Sequence, residues 1–142
     1  MTELKLAFLD TNILVYQFDR DNKIKQKKSQ VLIEQLLKNN QAVISSQVMQ
    51  EFVNVSLKKF KTTILPEELE MFMTDILKPL CQHFPSYDFY KRAIKLFRAY
   101  SLNYYDALIL QAAIDLGCQT LYSEDLQDGQ KFGGLTIVNP FR

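Results

Sequence analysis

Apolar residues follow two alternating rhythms along this chain. Short unbroken apolar runs give way to stretches in which apolar residues recur every three or four positions. The first run is Leu4 to Leu9, interrupted only by Lys5. Leu6, Ala7, Phe8 and Leu9 predict a buried strand, because a parallel strand covered on both faces loses the polar/apolar alternation. Helical spacing resumes at once in Ile13, Leu14 and Tyr16, which predicts a short helix from Thr11 to about Phe18. Asp19-Arg20-Asp21-Asn22 is a polar break. Lys25 to Lys38 predicts a second helix with Val31, Leu32 and Leu36 on one stripe, stopped by Asn39-Asn40. Ala42-Val43-Ile44 is the next strand-like run, and Ser45-Ser46 offers an N-cap to a helix from Gln47 to Phe60. Val48, Phe52 and Val55 form its apolar face.

The second half repeats the alternation. Leu65-Pro66-Glu67-Glu68 is a helix start, with proline at the first helical position and acids in the first turn. That helix is expected to run to about Leu77 and stop near Pro79. Leu80 to Phe84 predicts a short strand, and Ser86 caps a helix from about Tyr87 to Tyr100. Asn103-Tyr104-Tyr105-Asp106 opens a helix that is apolar on nearly all sides, hence central, and Gly117 ends it. Gln119 to Tyr122 is a strand, Asp128-Gly129-Gln130 and Phe132-Gly133-Gly134 are turns, and Leu135 to Val138 is a last strand. Alternating strands and helices imply right-handed crossovers and an α/β fold, a three-layer α/β/α arrangement around a central parallel sheet of four or five strands. Lys58 to Tyr100 is mainly helical and forms an extension at one side of the sheet. The chain shows no repeat, low-complexity tract or linker, and its 142 residues are expected to form a single domain over residues 1–142.

Composition removes several function classes. Hydrophobic residues make up 47% and charged ones 23%, ordinary for a soluble protein. No apolar run approaches the roughly 20 residues of a membrane helix. Met1-Thr2-Glu3-Leu4-Lys5 lacks the basic start and long apolar stretch of a signal peptide. Cys81 and Cys118 have no metal-type spacing and fit buried thiols in a reduced, cytoplasmic compartment. The net charge of +1, from 17 basic and 16 acidic residues, argues against a generic nucleic-acid-coating protein. The basic residues are nonetheless clustered at Lys23, Lys25, Lys27 and Lys28, at Lys58, Lys59 and Lys61, and at Lys91, Arg92, Lys95 and Arg98. Each cluster reads first as a solvated helix face; an acidic site between them would make them a phosphate-guiding rim. His83 is the only histidine, which favours a structural role over a ligand or base.

Acids recur where strands hand over to helices. Asp10 stands at the carboxyl end of the first predicted strand, where open α/β sheets place ligands; the plainer reading is that Asp10 or Thr11 caps the next helix. Glu51 lies three residues after Val48 and four before Val55, close to the apolar face, where an unpaired charge is costly. Asp106 sits three residues after the cap Asn103, a position that the helix dipole alone explains. The strand from Gln119 to Tyr122 runs into Ser123-Glu124-Asp125. The candidates are therefore Asp10, Glu51, Asp106 and Asp125, with Glu124 and Asp128 as outliers. Carboxylates converging on one pocket must be partly protonated or hold a cation. Oxygen-only ligands match Mg²⁺ or Mn²⁺, and such a cage suits phosphodiester cleavage with one ion or two.

Phe8-Leu9-Asp10-Thr11-Asn12, Ser45 to Glu51 with Phe52, Tyr105-Asp106-Ala107-Leu108-Ile109 and Leu121 to Asp125 resemble the four acidic blocks of PIN-domain ribonucleases. The resemblance spans nearly the whole chain, and the toxins of VapBC-type toxin–antitoxin pairs are the nearest in length and order. It implies that Asp10, Glu51, Asp106 and Asp125 are catalytic metal ligands, with Thr11 or Asn12 and Ser123 at the small polar positions beside them. It further implies Mg²⁺ or Mn²⁺, single-stranded or loop RNA as substrate, a homodimer, and inhibition by an antitoxin encoded nearby. Ser123-Glu124-Asp125 fits the hydroxyl-x-acid pattern, which favours Asp125 over Glu124, and Asp128 is an additional candidate ligand. A haloacid-dehalogenase-like phosphatase also begins with an aspartate after an apolar strand, but needs a second aspartate where this chain has Asn12. A receiver domain needs paired acids that Asp10 lacks, and Ser45-Ser46 occupies a corresponding junction. A PIN-like domain kept as a binding module without turnover is the non-enzyme alternative, which metal titration separates. Tyr16, Phe18, Tyr104 and Tyr105 read first as core packing and second as base-stacking residues.

Overall fold

In the computed structural model, which describes residues 5–59 and 64–142, the first apolar run becomes β1 (Ala7–Leu9), buried along its whole length. Leu4, Phe60 and Lys61 lie outside the described residues. The later runs become β2 (Ala42–Ser45), β3 (Cys81–His83), β4 (Thr120–Tyr122), β5 (Lys131–Phe132) and β6 (Leu135–Val138). They form one sheet in the order β3-β2-β1-β4-β6-β5, with helices on both sides. Five strands are parallel, as expected. The sixth, β5, adds an antiparallel edge to β6 in a stretch whose glycines predict only turns.

β1 pairs with β2 on one side and with β4 on the other, so the strand order reverses at β1. Helices leaving the two sides diverge and open a crevice at the carboxyl ends of the strands. The Asp10 amide donates to the Tyr122 carbonyl at 3.1 Å, which ties the end of β1 to the end of β4 at that point.

The helices are α1 (Thr11–Tyr16), α2 (Lys23–Lys38), α3 (Ser46–Lys59), α4 (Pro66–Phe72), α5 (Lys78–Leu80), α6 (Tyr87–Tyr100) and α7 (Tyr104–Asp115). In α2 the buried positions are Ser29, Ile33 and Leu36, while Val31 is 41% exposed. Consecutive apolar residues at Val31, Leu32 and Ile33 permit two helical phases, and the sheet selects the one that pairs Ile33 with Leu36. The chain also stays helical through Pro79. Met73–Leu77 forms a π-helical turn in which the Lys78 amide reaches the Met73 carbonyl. That widening lets a proline enter without striking the carbonyl of the preceding turn. In α7, Ala107 to Ala113 are buried without exception, so this helix lies inside the core as its all-round apolar character requires.

Gly117 closes α7 with φ +72°: its amide donates to Ile114 and that of Cys118 to Ala113, the paired bonds of a Schellman end. A Cβ there would meet no atom within 4 Å, so Gly117→Ala isolates the backbone cost. It is expected to lower stability by about 1 kcal/mol, read by chemical denaturation.

Candidate active site

Asp10 emerges from β1 as the N-cap of α1 and is buried to 6% exposure. One carboxylate oxygen accepts the Thr11 amide at 2.7 Å and the other accepts the Ser123 hydroxyl at 2.8 Å. Burial pushes the Asp10 carboxyl up to about 6; the Ser123 and Thr11 hydrogen bonds oppose this, and the charges of Asp125 and Glu51 add to it. The capping role is therefore real, yet a cap does not require this degree of desolvation.

Glu51 projects from α3, which starts directly after β2 with Ser45 accepting the Val48 amide. Its oxygens accept the Thr11 hydroxyl at 2.7 Å and the Gln47 amide at 2.8 Å. Gln47 also donates to the Tyr105 carbonyl at 3.2 Å, joining α3 to the start of α7. Asp106 follows in the first turn of α7, where Asn103 caps by accepting the Tyr105 amide. The Asp106 carboxylate has no hydrogen-bond partner among the described residues. Burial first, then the charges of Asp125 and Glu51, holds it above the usual carboxylate range. Asp125 follows β4; it accepts the Asn12 amide at 3.2 Å, and its own amide donates to Ser123.

All four acids line one cleft of ≈200 Å³, with Asn54, Tyr105 and Ile109 completing its walls. Among the described residues, no lysine, arginine or histidine lines it. Larger clefts exist, including one of ≈440 Å³ between α2 and the π-helical turn, but none of them gathers carboxylates. Chemistry and not size singles out the acidic one.

The outliers are placed elsewhere. Glu124 points away, where it accepts the Tyr16 hydroxyl at 2.7 Å and pairs with Lys25 at 2.5 Å. Burial alone would raise its carboxyl, but the hydrogen bonds from Lys25 and Tyr16 outweigh that and hold it low. Asp128 accepts the Asn139 amide at 2.8 Å, which secures the turn before β5. His83 lies outside the acidic cleft, packed on the Phe89 ring with Nε2 3.6 Å from Asp115. Burial lowers its pKa, with Asp115 opposing, so it is neutral at neutral pH. Cys81 and Cys118 are buried, and burial pushes the Cys118 thiol up to about 12. Lys59 pairs with Asp19 at 3.0 Å and Arg92 with Asp115 at 2.7 Å, so neither basic cluster is wholly free.

The match to known proteins fits this arrangement. The PIN domain family model covers residues 7–127. The chain belongs to the PIN domain family. Among solved structures, this PIN domain is similar to a toxin–antitoxin complex from Klebsiella pneumoniae, with TM-score 0.65 and 24% identity over 94% of this chain and 97% of that one. It is also similar to VapBC2 from Rickettsia felis, solved bound to a DNA fragment from the promoter, with TM-score 0.61 and 23% identity over 93% and 96%. Both likenesses are of fold. No curated protein matches the chain.

A PIN domain implies a divalent metal, and the donor set here can be weighed against one. Four carboxylates that, among the described residues, have no basic counter-charge in the cleft, Asp106 there having no hydrogen-bond partner, are the hard oxygen donors that Mg²⁺ and Mn²⁺ take. Among the described residues, no three acidic, histidine or cysteine side chains close on one point at ligating distance. The present partners of Glu51 and Asp125 are neutral hydroxyl and amide groups, which give way to a cation at low cost. The set therefore fits in type, and side-chain rotation has to complete it. Gln47 and Asn54 carry no acidic signal and escape a search for charges. Gln47 was nonetheless detectable as an amide one helical turn before Glu51.

Proposed function

We propose that this PIN domain is a divalent-metal-dependent endoribonuclease and the toxin of a toxin–antitoxin pair. One observation carries the nuclease reading: four carboxylates from separate chain segments line a single cleft that, among the described residues, has no cationic side chain. Asp10, Glu51, Asp106 and Asp125 would hold Mg²⁺ or Mn²⁺. When bound, such an ion supplies activated water and neutralises charge at the scissile phosphate. The protein's part is placement. Ser123 and the Thr11 amide fix both Asp10 oxygens, the Thr11 hydroxyl orients Glu51, and Asn12 orients Asp125. Because Asn12 is an amide donor at the place where a phosphatase of the haloacid-dehalogenase type needs an acid, that alternative loses its proton-transfer group.

Loops or single strands of RNA are the expected targets, since their bases are splayed and accessible. The exposed lysines and arginines of α2 and α6 supply attraction to the backbone. A cognate antitoxin, a homodimer and a cytoplasmic location are part of the proposal. The antitoxin is supported by the likeness to toxin–antitoxin complexes. Among the described residues, no helix is long and apolar enough to cross a membrane.

The direct test incubates the protein with structured RNAs and Mg²⁺ or Mn²⁺, with a chelator as control. Internal cleavage that stops on chelation is expected; cleavage that survives chelation rejects the reading. A second reading, a PIN fold kept as a binding module, is favoured by the open spacing of the carboxylates. It predicts no cleavage and no thermal stabilisation by Mn²⁺. The adjacent acids provide a further check. Glu124→Gln is expected to leave cleavage near the wild-type rate, whereas Asp125→Asn lowers it by about tenfold or more.

A further inference from the structure

A second cleft, of ≈270 Å³, adjoins the acidic one. Gln47 and Tyr105 line both, so the two form a continuous trough at the carboxyl edge of the sheet. The second cleft differs completely in chemistry. Among the described residues no Asp, Glu, Lys or Arg lines it, and its one imidazole, His83, is held neutral by burial. Tyr105 is 65% exposed and Tyr90 40% exposed, so both present ring surface that core packing does not explain. The Ser46 hydroxyl and the Gln50 amide lie at its edge with no hydrogen-bond partner among the described residues.

We propose that this cleft receives an unpaired nucleobase of the strand whose phosphate lies in the acidic cleft. The inference rests on the ribonuclease reading above and adds a specificity site to it. Among the described residues, this second cleft offers a phosphate no cationic side chain. Aromatic faces suit any base, because every base has a π-face, and stacking on each is worth about 1–3 kcal/mol. Free hydroxyl and amide groups at the rim address base edges and give a means of preference among bases. Continuity through Gln47 and Tyr105 sets the register: a strand entering the acidic cleft carries a neighbouring base past the Tyr105 ring.

The test measures anisotropy of labelled, short single-stranded oligoribonucleotides bound to the full chain, with Ca²⁺ replacing Mg²⁺ so that binding is read without turnover. Tyr105→Ala and Tyr90→Leu are expected to weaken binding by about tenfold, while Tyr105→Phe and Tyr90→Phe retain affinity. Tyr105 is exposed, so its loss leaves the core intact, and Tyr90→Leu keeps contact with Phe89; thermal melts verify both. An RNA with one abasic ribose beside the cleavage point is expected to lose the same factor on the wild type and nothing further on Tyr105→Ala. Unchanged binding by the ring-removed variants, with RNA still bound, overturns the base site and leaves the nuclease reading standing. Absence of RNA binding by the wild type overturns both.

Discussion

Asp106→Asn is expected to lower RNA cleavage by at least about a hundredfold while leaving the fold intact. Asp106 is the carboxylate of the cleft with no hydrogen-bond partner among the described residues, at the mouth of a buried helix. Losing an acid in the first turn costs about 0.3–1 kcal/mol of dipole stabilisation. Relief of repulsion from Asp125 and Glu51, and of the burial penalty, offsets that cost. Asn103 still caps the helix. The melting temperature therefore stays close to wild type, and the rate alone collapses. A cleavage time course on a structured RNA, run beside a thermal melt, separates the outcomes. A purely structural Asp106 would show the reverse: a lowered melt and a rate that follows the folded fraction.

Asp10→Asn is expected to stabilise the metal-free protein above pH 6 by up to about 3 kcal/mol. The sign follows from the carboxyl being raised from 3.8 to about 6 on folding. The folded protein then binds the Asp10 proton more tightly than the unfolded chain does. Wild-type stability is greatest below the unfolded value, falls as pH rises between about 4 and about 6, and remains lowered above that. Asparagine carries no charge to bury, so the variant lacks this decline. Its gain over wild type vanishes near pH 4. His83 acts oppositely, because its lowered pKa removes stability as pH falls below 6.5. That contribution is common to both proteins and cancels in the difference. Urea unfolding across this pH range, in chelator, gives the curve. Added Mn²⁺ is expected to reverse the order at neutral pH, since mass action stabilises only the protein that binds it.

The strand-to-helix handovers were the most legible part of the chain. Phe8 and Leu9 read as a buried strand and form one, and Asp10 after them stands at the sheet's switch point. Side-chain phase was less legible: Val31 and Ile33 compete for the inner face of α2, and only the packed sheet decides between them. Pro79 misleads because a proline normally ends a helix, and the π-helical turn that admits it has no sequence signature. The edge strand β5 is too short to show a rhythm. In the candidate site, the acids were visible because charge beside apolar residues is conspicuous. The hydroxyl-x-acid pattern favours Asp125 over Glu124, but the contacts that turn Glu124 away come from Tyr16 and Lys25, more than ninety residues distant. The aromatic cleft was hidden for a related reason. Tyr105 reads first as a core residue in a one-dimensional pattern, and only the fold leaves it 65% exposed.

The proposed chemistry requires the acidic cleft to take up a dication without help from any partner. Calorimetric titration of Mn²⁺ into the RNA-free protein at neutral pH measures this directly. Saturable uptake by the wild type, lost when Asp10→Asn and Asp106→Asn are combined, is the predicted result. A wild-type protein that takes up no Mn²⁺, or a doubly substituted one that binds it equally well, contradicts the account.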